Sequence, residues 1–341
     1  MQGTGFLPDS APNHSSVIQH DYATYIANRI SQLGNVQCPA RSKERKRMKN
    51  QKKAYIYGLS TVLLWSTVAS AFKLSLRYLD YIQLVLYSTI VSIFVLSFIL
   101  ILRKKIHLLF SYSKREYSKS LVLGFLNPFL YYMVLFKAYD LLPAQEAQPL
   151  NYTWAITLVL LSIPILKQRI GIKDIFSVLV SYSGVVVIST HGNILSLRFS
   201  NPFGVGLALG STVIWALYWI YNTRDDRDPI AGLLLNFIFG LPWILACCLL
   251  FSDLGVSNPY GLIGAAYVGV FEMGITFALW LSALKLSENT AKIGNLIFLS
   301  PFLSLVFIHF LVGEKILAST FIGLGFIVSG LLIQRVKGRA I

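Results

Sequence analysis

Leu286 to Ile333 constrains this chain more than any other stretch. It reads LSENTAKIGNLIFLSPFLSLVFIHFLVGEKILASTFIGLGFIVSGLLI, two long apolar runs joined by a very short turn at Val312-Gly313-Glu314-Lys315. Ala291–Leu311 carries no carboxylate and only Lys292 near its start, and Leu317–Ile333 carries no charge. About 20 apolar residues in a helix cross the hydrocarbon core of a bilayer, so both runs are membrane-span candidates. Pro301 sits in the middle of the first run, and small residues recur in the second.

Most of the chain repeats this theme. Apolar residues make up 55% of it and charged residues 13%, against about 25% charged in a soluble domain. The apolar excess falls in long runs separated by short basic or polar breaks, the signature of an integral membrane protein. The sequence predicts an all-α fold, because helices satisfy their own backbone in lipid and no barrel-like alternation occurs. From Ala54 onward ten spans are expected: 54–73, 81–102, 119–138, 145–166, 172–190, 203–222, 230–251, 259–282, 291–311 and 316–335.

Residues 1–53 differ in kind. They are polar, end in the basic run RSKERKRMKNQKK (Arg41–Lys53), and have no signal-peptide core. They read as a disordered cytoplasmic tail. Met48 is an alternative natural start, since MKNQKK leads directly into an apolar run.

Lys and Arg outnumber Asp and Glu, 30 to 15. In a soluble protein that excess suggests nucleic acid. Here it clusters in the breaks, where it meets anionic headgroups, so no nucleic-acid partner is expected. With ten spans and the tail inside, the cytoplasmic breaks hold Arg103, Lys104, Lys105, Lys114, Arg115, Lys167, Arg169, Arg224, Arg227, Lys285, Arg335, Lys337 and Arg339. The opposite side holds Arg77, Arg198 and Lys315, beside Asp80, Asp140, Asp253 and Glu314. This positive-inside bias places both termini in the cytoplasm of a multi-pass plasma-membrane (inner-membrane) protein.

The chain also contains a weak duplicate of itself. GLSTVLLW (Gly58–Trp65) resembles ALGSTVIW (Ala208–Trp215), KQRI (Lys167–Ile170) matches GEKI (Gly313–Ile316), and Ser183-Gly184 matches Ser329-Gly330. The last two landmarks are equally spaced (184 − 168 and 330 − 314 are both 16), and Trp-to-turn distances nearly agree (168 − 65 = 103, 314 − 215 = 99). The halves fall at 54–190 and 203–335. Five spans is an odd number, so the two halves run oppositely through the membrane, an inverted-topology repeat with its site near the midplane between them.

Trp65, the SPF…GEK pattern with Pro301 and Glu314, and the glycines Gly323, Gly325 and Gly330 of the last span carry a family resemblance. The chain resembles the ten-helix, EamA-type members of the drug/metabolite transporter superfamily from about Tyr55 to Ile333. LNYTWAITLVLLS (Leu150–Ser162) is similar to the Asn-Tyr-x-Trp-Pro signature of the amino-acid-exporter branch, with Ala155 where that branch has Pro. Gln168 also stands where the second half has Glu314, and span two, at Tyr87-Ser88, lacks the Arg of many relatives. The resemblance implies that spans one to four and six to nine enclose a cavity, with five and ten as outer scaffold.

Ionisable residues inside a membrane are functional candidates, since charge facing lipid is costly. Glu272, near the centre of span eight, is the foremost. It reads either as an ionised carboxylate that pairs with a substrate ammonium or carries a coupling proton, or as a protonated side chain bonded to a neighbouring helix. Lys137 reads as snorkelling to the headgroups, and His309 as packed and neutral, with a proton relay as the lesser reading. Asn127-Pro128 in span three, and Asn295 with Pro301 in span nine, sit where proline frees a backbone carbonyl and bends a helix. Each pair reads equally as a polar spot facing the cavity or as a kink.

Trp and Tyr normally lie at membrane interfaces, so central ones call for a reason. Trp65, Tyr131, Asn151, Trp154, Trp215 and Tyr218 complete the candidate site, as stacking platforms for an aromatic or cationic group or as core packing. The resemblance tips Trp65, Asn151 and Trp154 toward the cavity. Ser177/Ser181 and Gly325/Ser329 have the small-xxx-small spacing of close helix packing and of a homodimer contact.

Cys38, Cys247 and Cys248 have no metal-ligand spacing. No nucleotide loop, HExxH or nucleophile elbow is present, so no cofactor, metal or enzymatic activity is expected. The sequence thus predicts a secondary transporter of small organic metabolites, foremost an amino-acid or related metabolite exporter. It would work by alternating access in the bilayer, with proton coupling at Glu272 as an option. Carriers of nucleotide-sugars, other metabolites or lipid-linked sugars are the alternatives, followed by a membrane enzyme or receptor.

Overall fold

The computed structural model describes residues 50–166, 172–194, 201–222, 225–287 and 296–335. Almost all of the expected tail, and Asn295, lie outside the described residues. So do Lys167–Ile170, the first half's counterpart of the Gly313 turn.

Among the described residues, ten helical spans follow one another. Spans one and two are unbroken helices at Gln51–Ser75 and Tyr81–Leu102. Span three runs Lys114–Gly124, Phe125–Leu130 and Tyr131–Leu141, and its middle piece is a kink at Asn127, whose backbone is extended. Span four joins Ala144–Tyr152 to Trp154–Leu166. Spans five, six and seven are Ile172–Ser189, Pro202–Asn222 and Pro229–Phe251. Span eight runs Pro259–Tyr267, a π segment at Val268–Glu272, and Ile275–Leu286. Span nine is described from Leu296 to Val312 and span ten is Ala318–Arg335. Six of these helical stretches are long and apolar enough to cross a bilayer on length and composition. Phe94, Phe98, Leu250, Phe251 and Phe310 point outward, as lipid-facing side chains do. The protein is an all-α, multi-pass membrane protein.

Helix starts follow from local chemistry. Asp80 caps span two, accepting from Ile82 N and Gln83 N while Gln83 reaches back to Asp80 N, a capping box. Asp228 caps span seven, accepting from Ile230 N and Ala231 N. The Gly313 turn closes span nine in the left-handed region at φ +84°, where glycine costs least.

Contacts repeat under exchange of the halves. Span one packs on span eight, and span six on span three; span six packs on span four, and span one on span nine. Spans two and seven pack on each other, as do five and ten. Individual residues obey the same exchange. Asp228 receives Lys105 Nζ at 2.6 Å, and Asp80 receives Ser252 Oγ at 2.5 Å. The caps are offset by 148 residues (228 − 80) and their partners by 147 (252 − 105). Each pair ties the end of one second helix to the start of the other, at opposite ends of the bundle. This is the geometry of an inverted repeat.

Spans five and ten are the closest pair. Ser177 Oγ donates to Gly330 O at 2.6 Å and Ser181 Oγ to Ile327 O at 3.3 Å. A Cβ on Gly184 would run into Gly323 O, and one on Gly323 into Gly184 O. Small residues therefore let the two backbones meet. The pair that does so in span ten is Gly323 and Gly330. The expected Gly325/Ser329 pair points away: Gly325 has open space beside it and Ser329 is exposed.

Candidate functional site

The end of the bundle that carries Asn50, the tail end, also receives Leu286, whose carbonyl accepts from Asn50 N at 2.9 Å. Midway between this end and the far end, the third helices of the two halves both leave α-helical geometry, at Phe125–Leu130 and Val268–Glu272. Asn127 has extended backbone (φ −148°, ψ 116°), and the Thr276 hydroxyl donates to the Phe271 carbonyl. π segments such as Val268–Glu272 recur at functional sites because they turn side chains out of the helical register.

Glu272 ends one of these breaks and is half-buried. The buried Tyr132 hydroxyl, just past the other break, donates to its Oε1 at 3.2 Å.

Aromatic rings flank this junction. Tyr131 stacks on Trp215 with centroids 4.4 Å apart and planes 24° apart, and Trp215 continues to Tyr218 at 5.6 Å and 23°. Trp65 meets Phe277 edge-on at 6.0 Å and Trp280 at 5.7 Å. Phe277 also touches Trp215, at 6.4 Å. The tryptophan of each first helix thus packs on an aromatic residue of the other half's third helix. Tyr131 and Phe277 are offset by 146 residues (277 − 131), the same offset as Gln168 and Glu314 (314 − 168).

Asn151 is half-buried and its amide donates to Ser211 Oγ at 3.0 Å, one turn before Trp215. Asn127 is 1% exposed and Asn236, in span seven, 0%. Both amides lie at the Tyr218 hydroxyl, with Asn236 Nδ2 at 3.5 Å, and the side-chain carbonyl of each has no partner among the described residues. The structure therefore brings together Glu272, Tyr131, Asn127, Asn151, Trp215 and Tyr218, with Trp65 joined through Phe277. Trp154 packs with Leu158, Ala216 and Ile220. Tyr132, Asn236 and Phe277 escaped the sequence reading. Asn236 was detectable, as a lone amide inside the apolar run of span seven.

The far end is tied shut around span four. Glu314 accepts from Ala144 N at 2.8 Å and Gln145 N at 3.1 Å, a carboxylate on a helix N-terminus. Gln145 bonds Lys315 O, Leu317 N and Thr320 Oγ1. Lys73 Nζ donates to Tyr139 O and Leu142 O, at 2.7 and 2.8 Å. His191 Nε2 meets the buried Glu146 at 2.5 Å. Lys137 does reach the end of its span, where it pairs with Asp140 at 2.7 Å over the Tyr81 ring. His309 differs from expectation. It is exposed, not packed, and its Nδ1 meets Glu314 O at 2.9 Å. Pro301 likewise begins an α-helix, following a 3-10 turn, and does not interrupt one.

The tail end holds a recess between spans two, six, seven and eight that reaches Tyr218 and Trp219 from Asn222, Asp225 and Arg227. Arg227, 5% exposed, grips Asp225 through Nη2 at 2.6 Å and donates to Ser120 Oγ, also at 2.6 Å. Burial pushes the Asp225 carboxyl up, but the Arg227 hydrogen bonds and charge outweigh it and leave it below the usual aspartate range. Asp228 is likewise held low: Lys105 and the helix-start amides outweigh its burial.

Residues 52–190 and 202–335 each match the model of the EamA-like transporter family. An uncharacterized transporter of Acidianus ambivalens is 29% identical over 209 residues, 59% of this chain and 78% of that protein. One from Archaeoglobus fulgidus is 24% identical over 288 residues, 82% of this chain and 98% of its own. A solved crystal structure superposes with a TM-score of 0.56 at 21% identity, covering 83% of this chain and 96% of that one. At that identity the likeness is one of fold.

Proposed function

The chain belongs to the EamA-like transporter family, and from that premise we propose that it exports amino acids or related ammonium-bearing metabolites by secondary transport. The halves rock about the Glu272 junction, exposing it alternately to the two membrane faces. The observation that carries this reading is the hydrogen bond between Tyr132 and Glu272. It joins the two third helices at their breaks, so a ligand on Glu272 acts on both halves at once. A helix break in each half at the midplane is the usual build of a carrier site.

The basic residues gathered at the tail end favour a cytoplasmic position for that end in the plasma membrane. The recess reaching Tyr218 and Trp219 then supplies entry from the cytoplasm. The Glu314 tie accounts for closure toward the outside. Glu272 exchanges a proton for the substrate ammonium, which couples export to proton entry. Anionic cargo such as a nucleotide-sugar has less support, because no lysine or arginine stands near the centre of any span to meet a diphosphate.

Counterflow in proteoliposomes tests the proposal. Vesicles preloaded with a panel of amino acids and amines should accumulate the matching labelled compound, and Glu272→Gln should abolish this. Labelled compounds entering no faster than into protein-free vesicles would refute it.

A further inference from the structure

The charge balance of the central site narrows its cargo, on the reading that Glu272 faces the substrate. Among the described residues from 54 to 335, every Lys and Arg lies in a connection or within about two turns of a span end. Glu272 is a carboxylate at mid-span that accepts a hydrogen bond from the Tyr132 hydroxyl. Asn127 and Asn236 add two buried side-chain carbonyl oxygens without partners among the described residues, both beside Tyr218. A buried acceptor left unpaired is unfavourable until an N–H or O–H donor reaches it. Beside these groups stand the rings of Tyr131, Trp215, Tyr218 and Phe277, packed on one another, and aromatic rings attract cations.

Every polar feature of this site except the amide and hydroxyl donors asks for a positive, hydrogen-bond-donating group. A zwitterionic amino acid brings its carboxylate along, within a few bonds of its ammonium. That carboxylate must enter the same low-dielectric space as Glu272, where like charges repel strongly, with no basic side chain to receive it. An amine lacking the carboxylate meets no such penalty. We propose that the site selects primary amines carrying a flat apolar group, arylalkylamines by class, over the parent amino acids.

Three ligands that differ only in charged groups test this on the full-length protein in detergent: phenethylamine, phenylalanine and phenylacetate. Saturable change in tryptophan fluorescence reports binding beside Trp215 and Trp65. Phenethylamine should bind at least tenfold more tightly than phenylalanine, and phenylacetate should give no saturable signal. Glu272→Gln should weaken phenethylamine at least tenfold while phenylalanine stays level or improves. The comparison on the unaltered protein needs no variant to fold. Phenylalanine binding as well as the amine, weakened by Glu272→Gln, would overturn the amine selection and leave the carrier proposal standing. Absence of binding by all three up to millimolar concentration would overturn both. So would phenethylamine binding unchanged by Glu272→Gln in a variant with normal thermal unfolding.

Discussion

Tyr132 donates its hydroxyl to Glu272 across 3.2 Å, joining the third helix of one half to the third helix of the other. Glu272 ends the break of span eight and Tyr132 lies two residues past the break of span three, so the bond joins the regions where the inverted halves depart from regular helix. A group that competes for Glu272 must either displace Tyr132 or share the carboxylate with it. Ligand binding is thereby linked to the contact between the halves.

Replacing Glu272 with Gln should therefore stop transport while the helices remain folded. Tyr132→Phe should retain transport but slow it about tenfold, as expected for one lost hydrogen bond to a charged acceptor. Initial rates in proteoliposomes, with thermal unfolding as the folding control, check both. Full activity in Glu272→Gln would remove the residue from the site.

The far-end tie should be a gate. Glu314 holds two backbone N–H groups at the start of span four, and charge-assisted bonds of this kind contribute roughly 1.5–3 kcal/mol each. Ser70, 1% exposed, lies on span one three residues before Lys73, and its hydroxyl has no partner among the described residues. Glu314→Ala in a Ser70→Cys background should raise labelling by a membrane-impermeant maleimide at least tenfold. An unchanged rate would mean that Glu314 does not hold the far end closed.

Span ten offers a matched pair of substitutions. Gly323→Ala places a methyl against Gly184 O and Ile188, an overpacking that costs about 1–3 kcal/mol. Gly325→Ala meets open space and gains helix propensity, so it should be neutral or slightly stabilising, by up to about 1 kcal/mol. Thermal unfolding of the two variants in one detergent separates them. Equal shifts would contradict the close approach of spans five and ten.

The spans themselves were legible in the sequence, because about 20 apolar residues leave few alternatives. The repeat was legible too, as GLSTVLLW against ALGSTVIW, and each half matches the same family model. The breaks in spans three and eight were not. A break shifts the helical register and leaves composition unchanged, and only Pro128 hinted at the first of them. Tyr132 stayed hidden behind its neighbour Tyr131 for the same reason: which of two adjacent tyrosines reaches span eight depends on that register. Glu146 was passed over within an expected span. Its buried carboxylate is supported by His191, which is 45 residues away, in the turn that follows span five. The Gly323/Gly330 contact was mistaken for Gly325/Ser329 because small-residue spacing does not say which face of a helix meets a neighbour.

At the tail end, acid should loosen the clamp around span seven. Asp225 and Asp228 both titrate below the ordinary aspartate value of 3.8 when folded. A carboxyl lowered on folding contributes stability above its unfolded value and loses it as pH falls through the folded one. Unfolding temperature should therefore be insensitive to these groups from pH 5 to 8 and fall below about pH 4. Arg227→Leu leaves Asp225 buried without its main partner, and should destabilise by about 3–5 kcal/mol at neutral pH. Melting curves from pH 3 to 8 check both expectations.

The central claim is that one carboxylate, at the meeting point of two inverted halves, takes turns with substrate and proton. Proteoliposomes containing a pH-sensitive dye test it in a single trace. A phenethylamine gradient should drive proton movement opposite to the amine in the unaltered protein and none in Glu272→Gln. Proton-coupled amine movement that persists in the Glu272→Gln variant would contradict the account.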